Sequence, residues 1–189
     1  ASLTVGLHDK SFNGRIETNG VDLGKIIDNQ QLGIIAAKLY AKGSTEGKNL
    51  KVDAQGTIDR VDYNHYTYRN IDINGIVQKR DQQLSFNGKL NINDPNGKLQ
   101  INGDFSNIGR NPKMNLTAHI VNFNPHALKL TDRYPSTTFS MDLNANISGH
   151  SLNTANGTIT MNNFEMQASN NNYRLNELKL QAGQENGQH

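Results

Sequence analysis

Apolar residues occupy every second position over long stretches of this chain, and glycines fall into the same register. Ile71, Ile73, Gly75 and Val77 form one such run, Leu84, Phe86, Gly88, Leu90 and Ile92 a second, and Leu99, Ile101, Gly103 and Phe105 a third. The positions between them are mostly Asn, Lys, Gln, Asp and Arg. A period of two belongs to β-strands with one dry and one wet side. No stretch supplies an obvious helical layer for the dry side, so the sheet is expected to curl around its own apolar face. Glycines in that face are where it bends. The expected shape is a trough.

The pattern predicts eleven strands, near 2–8, 12–18, 32–42, 49–62, 66–77, 82–92, 98–105, 113–121, 137–148, 158–168 and 173–182. Their connectors are short and turn-like. Asp94-Pro95-Asn96-Gly97 is the clearest, with proline pre-setting a turn and glycine following it. Strands joined this tightly are antiparallel neighbours, so most of the chain should be a meander, a ribbon about 50 Å wide at about 4.8 Å per strand. The fold class is therefore all-β: an elongated, curved antiparallel sheet, an open half-tube with an apolar interior, spanning residues 1–189 as one segment. The alternative is a β-sandwich in which the apolar faces of two half-ribbons meet. Short helices are expected at 21–28, where Leu23, Ile26 and Ile27 have helical spacing, and at 124–130, which opens with Asn124 as N-cap and Pro125 behind it; an irregular loop with a few buried leucines is the alternative for the second. Their small apolar faces suit the end or rim of a trough. Residues 32–75 are faintly echoed by 137–183, with Tyr68-Arg69 answered by Tyr173-Arg174. A modular array and chance similarity among alternating strands explain that echo equally.

Composition narrows the function classes. Only 34% of the 189 residues are hydrophobic and 6% aromatic, while asparagine is the commonest residue, which suits half-wet strands and many turns. The mean hydropathy of -0.68 implies a thin core. Nineteen basic and 17 acidic residues are spread evenly for a net charge of +2, so nucleic acid is not an expected partner. The absence of cysteine excludes a disulfide scaffold and thiolate metal sites. No 18-residue apolar run and no signal-peptide pattern occurs. The chain starts and stops in strand-like or turn-like sequence, which reads as a segment of a longer array with anchors and targeting signals outside it.

Catalytic signatures are missing: there is no Gly-x-Ser-x-Gly elbow, phosphate loop, Gly-x-Gly-x-x-Gly or His-Glu-x-x-His. No enzyme activity, cofactor or metal site is expected. His8, His65, His119, His126, His150 and His189 contain no pair at three- or four-residue spacing, and the acidic cluster of Asp53, Asp59 and Asp62 lacks the order of a calcium loop. Tyr63, Tyr66 and Tyr68 beside Arg60 and Arg69 are expected to be strand residues with an apolar body and a polar tip; a stacking platform is the rival reading.

The run Gly56-Thr57-Ile58-Asp59-Arg60-Val61-Asp62-Tyr63, its continuation Tyr66 to Gly75, and the segments Phe86 to Gly97 and Leu99 to Phe105 resemble the TamB/AsmA-like family of large periplasmic proteins. The resemblance extends over about residues 21–183 and rests on strand patterning. It implies a β-taco, an open twisted half-tube of antiparallel strands, in the periplasm and cell envelope of a Gram-negative bacterium, in a parent protein anchored in the inner membrane. It further implies phospholipid transport to the outer membrane and support of outer-membrane protein assembly with a barrel partner. Neither the anchor nor the domain that meets the barrel lies within this chain.

The residues supply a compatible mechanism on their own. Acyl chains lying against Leu, Ile, Phe and Gly, with head groups at a polar rim, gain up to about 0.8 kcal/mol per buried methylene without a specific pocket. The candidate groove lining is Ile71, Ile73, Leu84, Phe86, Leu90, Ile92, Leu99, Ile101 and Phe105. Phospholipid acyl chains are the expected partner, with a barrel protein reached only through regions outside this chain. A structural or adhesive β-array that binds protein or glycan at the cell surface is the competing function. Exposed terminal strands also expose the chain to edge-to-edge self-association.

Overall fold

The structure, a computed structural model, describes residues 2–6, 10–22, 24–25, 30–47, 49–81, 83–108, 111–149 and 154–183. Among the described residues eleven strands form: β1 (Ser2–Gly6), β2 (Ser11–Asp22), β3 (Leu32–Glu46), β4 (Asn49–Tyr63), β5 (Tyr66–Arg80), β6 (Gln83–Asp94), β7 (Gly97–Ile108), β8 (Lys113–Phe123), β9 (Thr137–Ser148), β10 (Asn156–Ala168) and β11 (Asn171–Ala182). They make one antiparallel sheet in chain order, and β1 does not pair with β11, so the sheet is open. Each strand packs closely on its sequence neighbours, and among the described residues no large side chain is fully buried as it would be between two layers. The sandwich alternative is therefore not what forms. The accessible surface is 12902 Å². A compact monomer of this mass exposes about 9000 Å². The excess is that of an elongated, curved sheet left uncovered.

Turn chemistry sets the hairpins. Asn64 and His65, with φ of 49° and 64°, form a two-residue loop between β4 and β5, the conformation whose twist matches paired strands. Pro95 and Asn96 join β6 to β7. There the Asp94 carboxylate accepts the Asn96 backbone N–H at 2.9 Å, holding the turn from within.

Registers then align the apolar positions into rows that run across the strands. One row joins Val5, Phe12, Gly43, Val52, Val77, Phe86, Phe105, Met114, Ile147, Gly157 and Ala182, one residue from each of the eleven strands. The next row is small over six consecutive strands: Gly14, Ala41, Ala54, Gly75, Gly88 and Gly103. It continues through Leu116, Ala145, Ile159 and Leu180. Opposite side chains on paired strands share a face, so these rows place the apolar residues on one side of the sheet. The tightest packing lies at Leu116, Ala118 and Ala145, flanked by Leu99, Ile101, Phe105, Met114, Ile120, Leu143 and Ile159.

Three asparagines keep the rows apolar to their ends. Asn107, Asn122 and Asn163 have φ near 50° and lie where the registers of β7, β8 and β10 slip by one residue. A slip of this kind inserts one residue and reverses the alternation. Hence Ile120 and Phe123, or Met161 and Phe164, share a face although they are three residues apart.

The first expected helix lies largely outside the described residues, and the second does not form. Val21 and Asp22 belong to β2, residues 24 and 25 are helical, and 23 and 26–28 lie outside the described residues. The 124–130 segment is a pair of turns. Asn124 does cap it, accepting the Ala127 N–H at 2.9 Å, and Leu128 N–H reaches the Asn124 carbonyl at 3.1 Å. With only about one turn closed, helix propagation has no length over which to offset its costly nucleus.

Candidate apolar groove

The nine candidate residues occupy three adjacent strands, and eight of them fall into matched sets. Ile71, Ile92 and Leu99 are cross-strand partners, as are Ile73, Leu90 and Ile101. Phe86 and Phe105 pair with each other, and Phe86 also faces Val77. Ile71 is buried, while Ile73, Phe86, Leu90, Ile92, Leu99, Ile101 and Phe105 are half-buried. Leu84 stands apart. It faces Lys79 at the end of the row and is 40% exposed, a lip position and not a wall.

Between the Phe86–Phe105 row and the Leu90–Ile101 row runs the glycine row, which forms the floor. A Cβ at Gly88 would stand 2.4 Å from the Gly75 Cα and 2.3 Å from the Asn74 carbonyl oxygen. No side chain fits between these strands. The floor is thus bare backbone walled by Phe, Leu and Ile, a furrow that crosses the strands and follows the long axis of the ribbon.

Sequence reasoning singled out only the central strands. The wall rows continue over β8 to β10 through Met114, Ala118, Leu143 and Met161, whose alternation is as legible as that of β5 to β7, but there Leu116, Ala145 and Ile159 occupy the floor row. It also missed how one rim is closed. The connection after β8 reaches back over the sheet to β5, where Tyr68 donates its hydroxyl to the Leu128 carbonyl at 2.9 Å and Asn124 N–H reaches the Asn96 carbonyl at 2.9 Å. Leu128 ends up 3% exposed.

The tyrosines take part in that rim. Tyr66 and Tyr68 meet edge to face with centroids 4.7 Å apart. The Tyr66 hydroxyl donates to the buried Asp94 carboxylate and accepts from Asn96 Nδ2 at 2.9 Å, while Arg69 N–H reaches the other Asp94 oxygen at 3.3 Å. Burial first, and then the Asp94 carboxylate, pushes the Tyr66 hydroxyl above its usual range; burial does the same at Tyr68. Each ring buries its body and satisfies its tip, which is a packing role.

The wet face has its own relief. A shallow depression of about 650 Å³ is lined by outward residues including Lys89, Asn91, Asn102, Thr117, His119 and Asp142. His119 Nδ1 lies 2.6 Å from Asp142 Oδ1, and Asn163 Nδ2 donates to the other oxygen at 2.8 Å. Asn163 first and His119 second hold the Asp142 carboxyl below the usual carboxylate range. Among the described residues no cluster of three or more His, Cys, Asp or Glu side chains is arranged to hold a metal ion. No described helix is long and apolar enough to cross a membrane. The chain matches no family model, no curated protein and no solved structure.

Proposed function

We propose that the chain is a cell-envelope segment whose apolar furrow carries phospholipid acyl chains, as in a TamB/AsmA-like protein of the Gram-negative periplasm. The observation that carries this reading is the continuity of the apolar rows across all eleven strands. Packing alone needs local clusters; it does not need an apolar track that runs across every strand, with glycines as its floor over β5 to β7. Ten strand spacings make that track about 48 Å long, several times the length of a pocket for one small ligand. Its lining is apolar throughout, so an acyl chain in it retains its hydrophobic gain as it moves. Support of outer-membrane protein assembly, with a barrel partner engaged by other regions of a parent protein anchored in the inner membrane, belongs to the same proposal.

The test is site-specific photo-crosslinking in the parent protein in cells, at Phe86 or Leu90 with Asn87 or Lys89 as controls. Phospholipid adducts at 86 and 90 but not at 87 and 89 are expected. Protein-only or intramolecular adducts in both phases would sink the conduit.

A second reading draws on the wet face. The depression around Asn102, Thr117 and His119 is ringed by polar side chains and lies opposite the furrow. It favours a structural or adhesive β-array that binds protein or glycan at the cell surface. Adducts confined to positions 87 and 89 would support it.

A further inference from the structure

Among the described residues, two charged side chains stand in the apolar register of the strands, and they lie at opposite rims of the furrow. Asp94 follows Leu90 and Ile92 along β6, and Lys79 follows Ile73, Gly75 and Val77 along β5. Asp94 is 3% exposed and fully engaged at its own rim, where it accepts from the Tyr66 hydroxyl and from the Asn96 and Arg69 N–H groups. Lys79 differs in each respect. It is exposed, and among the described residues no ion pair engages it. Its cross-strand neighbours are Leu50 on β4 and Leu84 on β6, and one row further in lie Val52, Val77, Phe86 and Phe105. A lysine so placed lays its methylenes along apolar neighbours and carries its ammonium to the lip.

We propose that Lys79 is the headgroup contact of the furrow. It pairs with the phosphate of a glycerophospholipid whose acyl chains lie on the row of Val52, Val77, Phe86 and Phe105, and it thereby favours lipids of net negative charge. The proposal rests on the reading of the furrow as an acyl-chain track and adds to it which rim the heads cross and which heads are preferred. An amphiphile in the furrow must carry its head out over one rim. Over β5 to β8 the rim at Asp94 is taken by the connection after β8, held by its hydrogen bonds to Tyr68 and Asn96 and filled by Leu128. The rim at Lys79 is the exit that is left, and the charge in the apolar register there is a cation. An ammonium and a phosphate beside apolar walls attract more strongly than in open water, because less solvent screens them. In a zwitterionic head the lipid's own amine competes for the same phosphate; an anionic head has no such competitor. Lys89 is also exposed, but it belongs to the wet face and takes no part.

Headgroup preference is read by photo-crosslinking the 189-residue chain at Phe86 in the presence of vesicles of phosphatidylglycerol and phosphatidylethanolamine in equal amounts, with the adducts sorted by mass spectrometry. The parent should give more phosphatidylglycerol than phosphatidylethanolamine adducts. K79Q should lower that ratio about two- to fivefold, the scale of one exposed lysine acting on a lipid charge, and K79R should keep it. Total adducts at 86 should hold in all three, since the tails touch apolar side chains. K89Q removes the same charge from the other face and should leave the ratio unchanged. An equal fall in K79Q and K89Q would reduce the effect to general attraction between chain and vesicle and overturn the proposal. A ratio unmoved by K79Q with adducts undiminished would overturn it too, while leaving the acyl-chain track standing; no lipid adducts in the parent would remove the track and the proposal together. The choice of rim has its own readout, since the chain holds no cysteine. A spin label on L84C should broaden the phosphorus resonance of bound lipid more than one on L130C, in the connection after β8; the reverse order would put the heads over the other rim.

Discussion

Replacing Gly88 with alanine tests whether the glycine row is the floor on which the trough depends. Gly88 has φ of 157°, a conformation that side-chain-bearing residues rarely adopt, and its partners across the ladders are Gly75 and Gly103. The added Cβ would stand 2.3 Å from the Asn74 carbonyl oxygen and 2.4 Å from the Gly75 Cα. Both are backbone atoms, so no rotamer change relieves the contact and strands β5 and β6 must part. The backbone strain costs about 1–3 kcal/mol and the forced displacement about 1–3 kcal/mol more. Together G88A loses about 2–6 kcal/mol, a large share of the about 5–15 kcal/mol that stabilises an ordinary domain. Gly183 has no atom within 4 Å of the same position, so G183A is the matched control. Urea unfolding followed by circular dichroism should give a lower midpoint for G88A at an unchanged slope. Even the lower bound moves the melting temperature by about 4–8 °C for a chain of this size. A G88A midpoint within about 0.5 kcal/mol of the parent would refute the reasoning, because the strands would then have room to spare at the floor.

The strands were legible because each is long, alternating and bounded by turn residues, and period two with one polar face admits no other regular structure. All eleven expected strands form, mostly longer by a few residues at one or both ends. The ends of β7 and β8 escaped because asparagine reads as a strand breaker, whereas Asn107 and Asn122, like Asn163, sit inside strands. There they take the left-handed conformation that asparagine tolerates and carry the alternation across a slip. From sequence, Ile120 followed by Phe123 looks like the failure of a pattern; in the sheet it is how the pattern persists. The rim closure escaped for a different reason. Contact between Tyr68 and Leu128 joins residues 60 apart, and nothing local in either segment marks the other.

Acid should weaken the wet face. Arg60 holds the Asp62 carboxyl below its ordinary 3.8, and Asn172 first and Arg174 second hold Glu165 below its ordinary 4.5. Carboxylates depressed in the folded state contribute stability that is fully present above their unfolded values and is lost as pH falls through the folded ones. The destabilisation in R60Q should therefore be largest near neutrality and shrink as pH falls below the ordinary 3.8 of Asp62, as melting curves against pH would read; an equal deficit at all pH values would deny the ion pair its role. The slip at Asn107 gives the sharpest test of how the rows are maintained. With φ of 55° this residue needs a conformation in which a β-branched side chain meets its own backbone. N107V should lose about 1–2 kcal/mol, while N107G, which keeps the backbone angle without a Cβ, should remain within about 0.5 kcal/mol of the parent. Equal losses in the two variants would mean that the asparagine amide, not the backbone angle, secures the site. If N107V is instead as stable as N107G, β7 runs through this position in regular register. Alternation beyond Phe105 would then fall on the wet face, and the apolar track would end at that row on this strand.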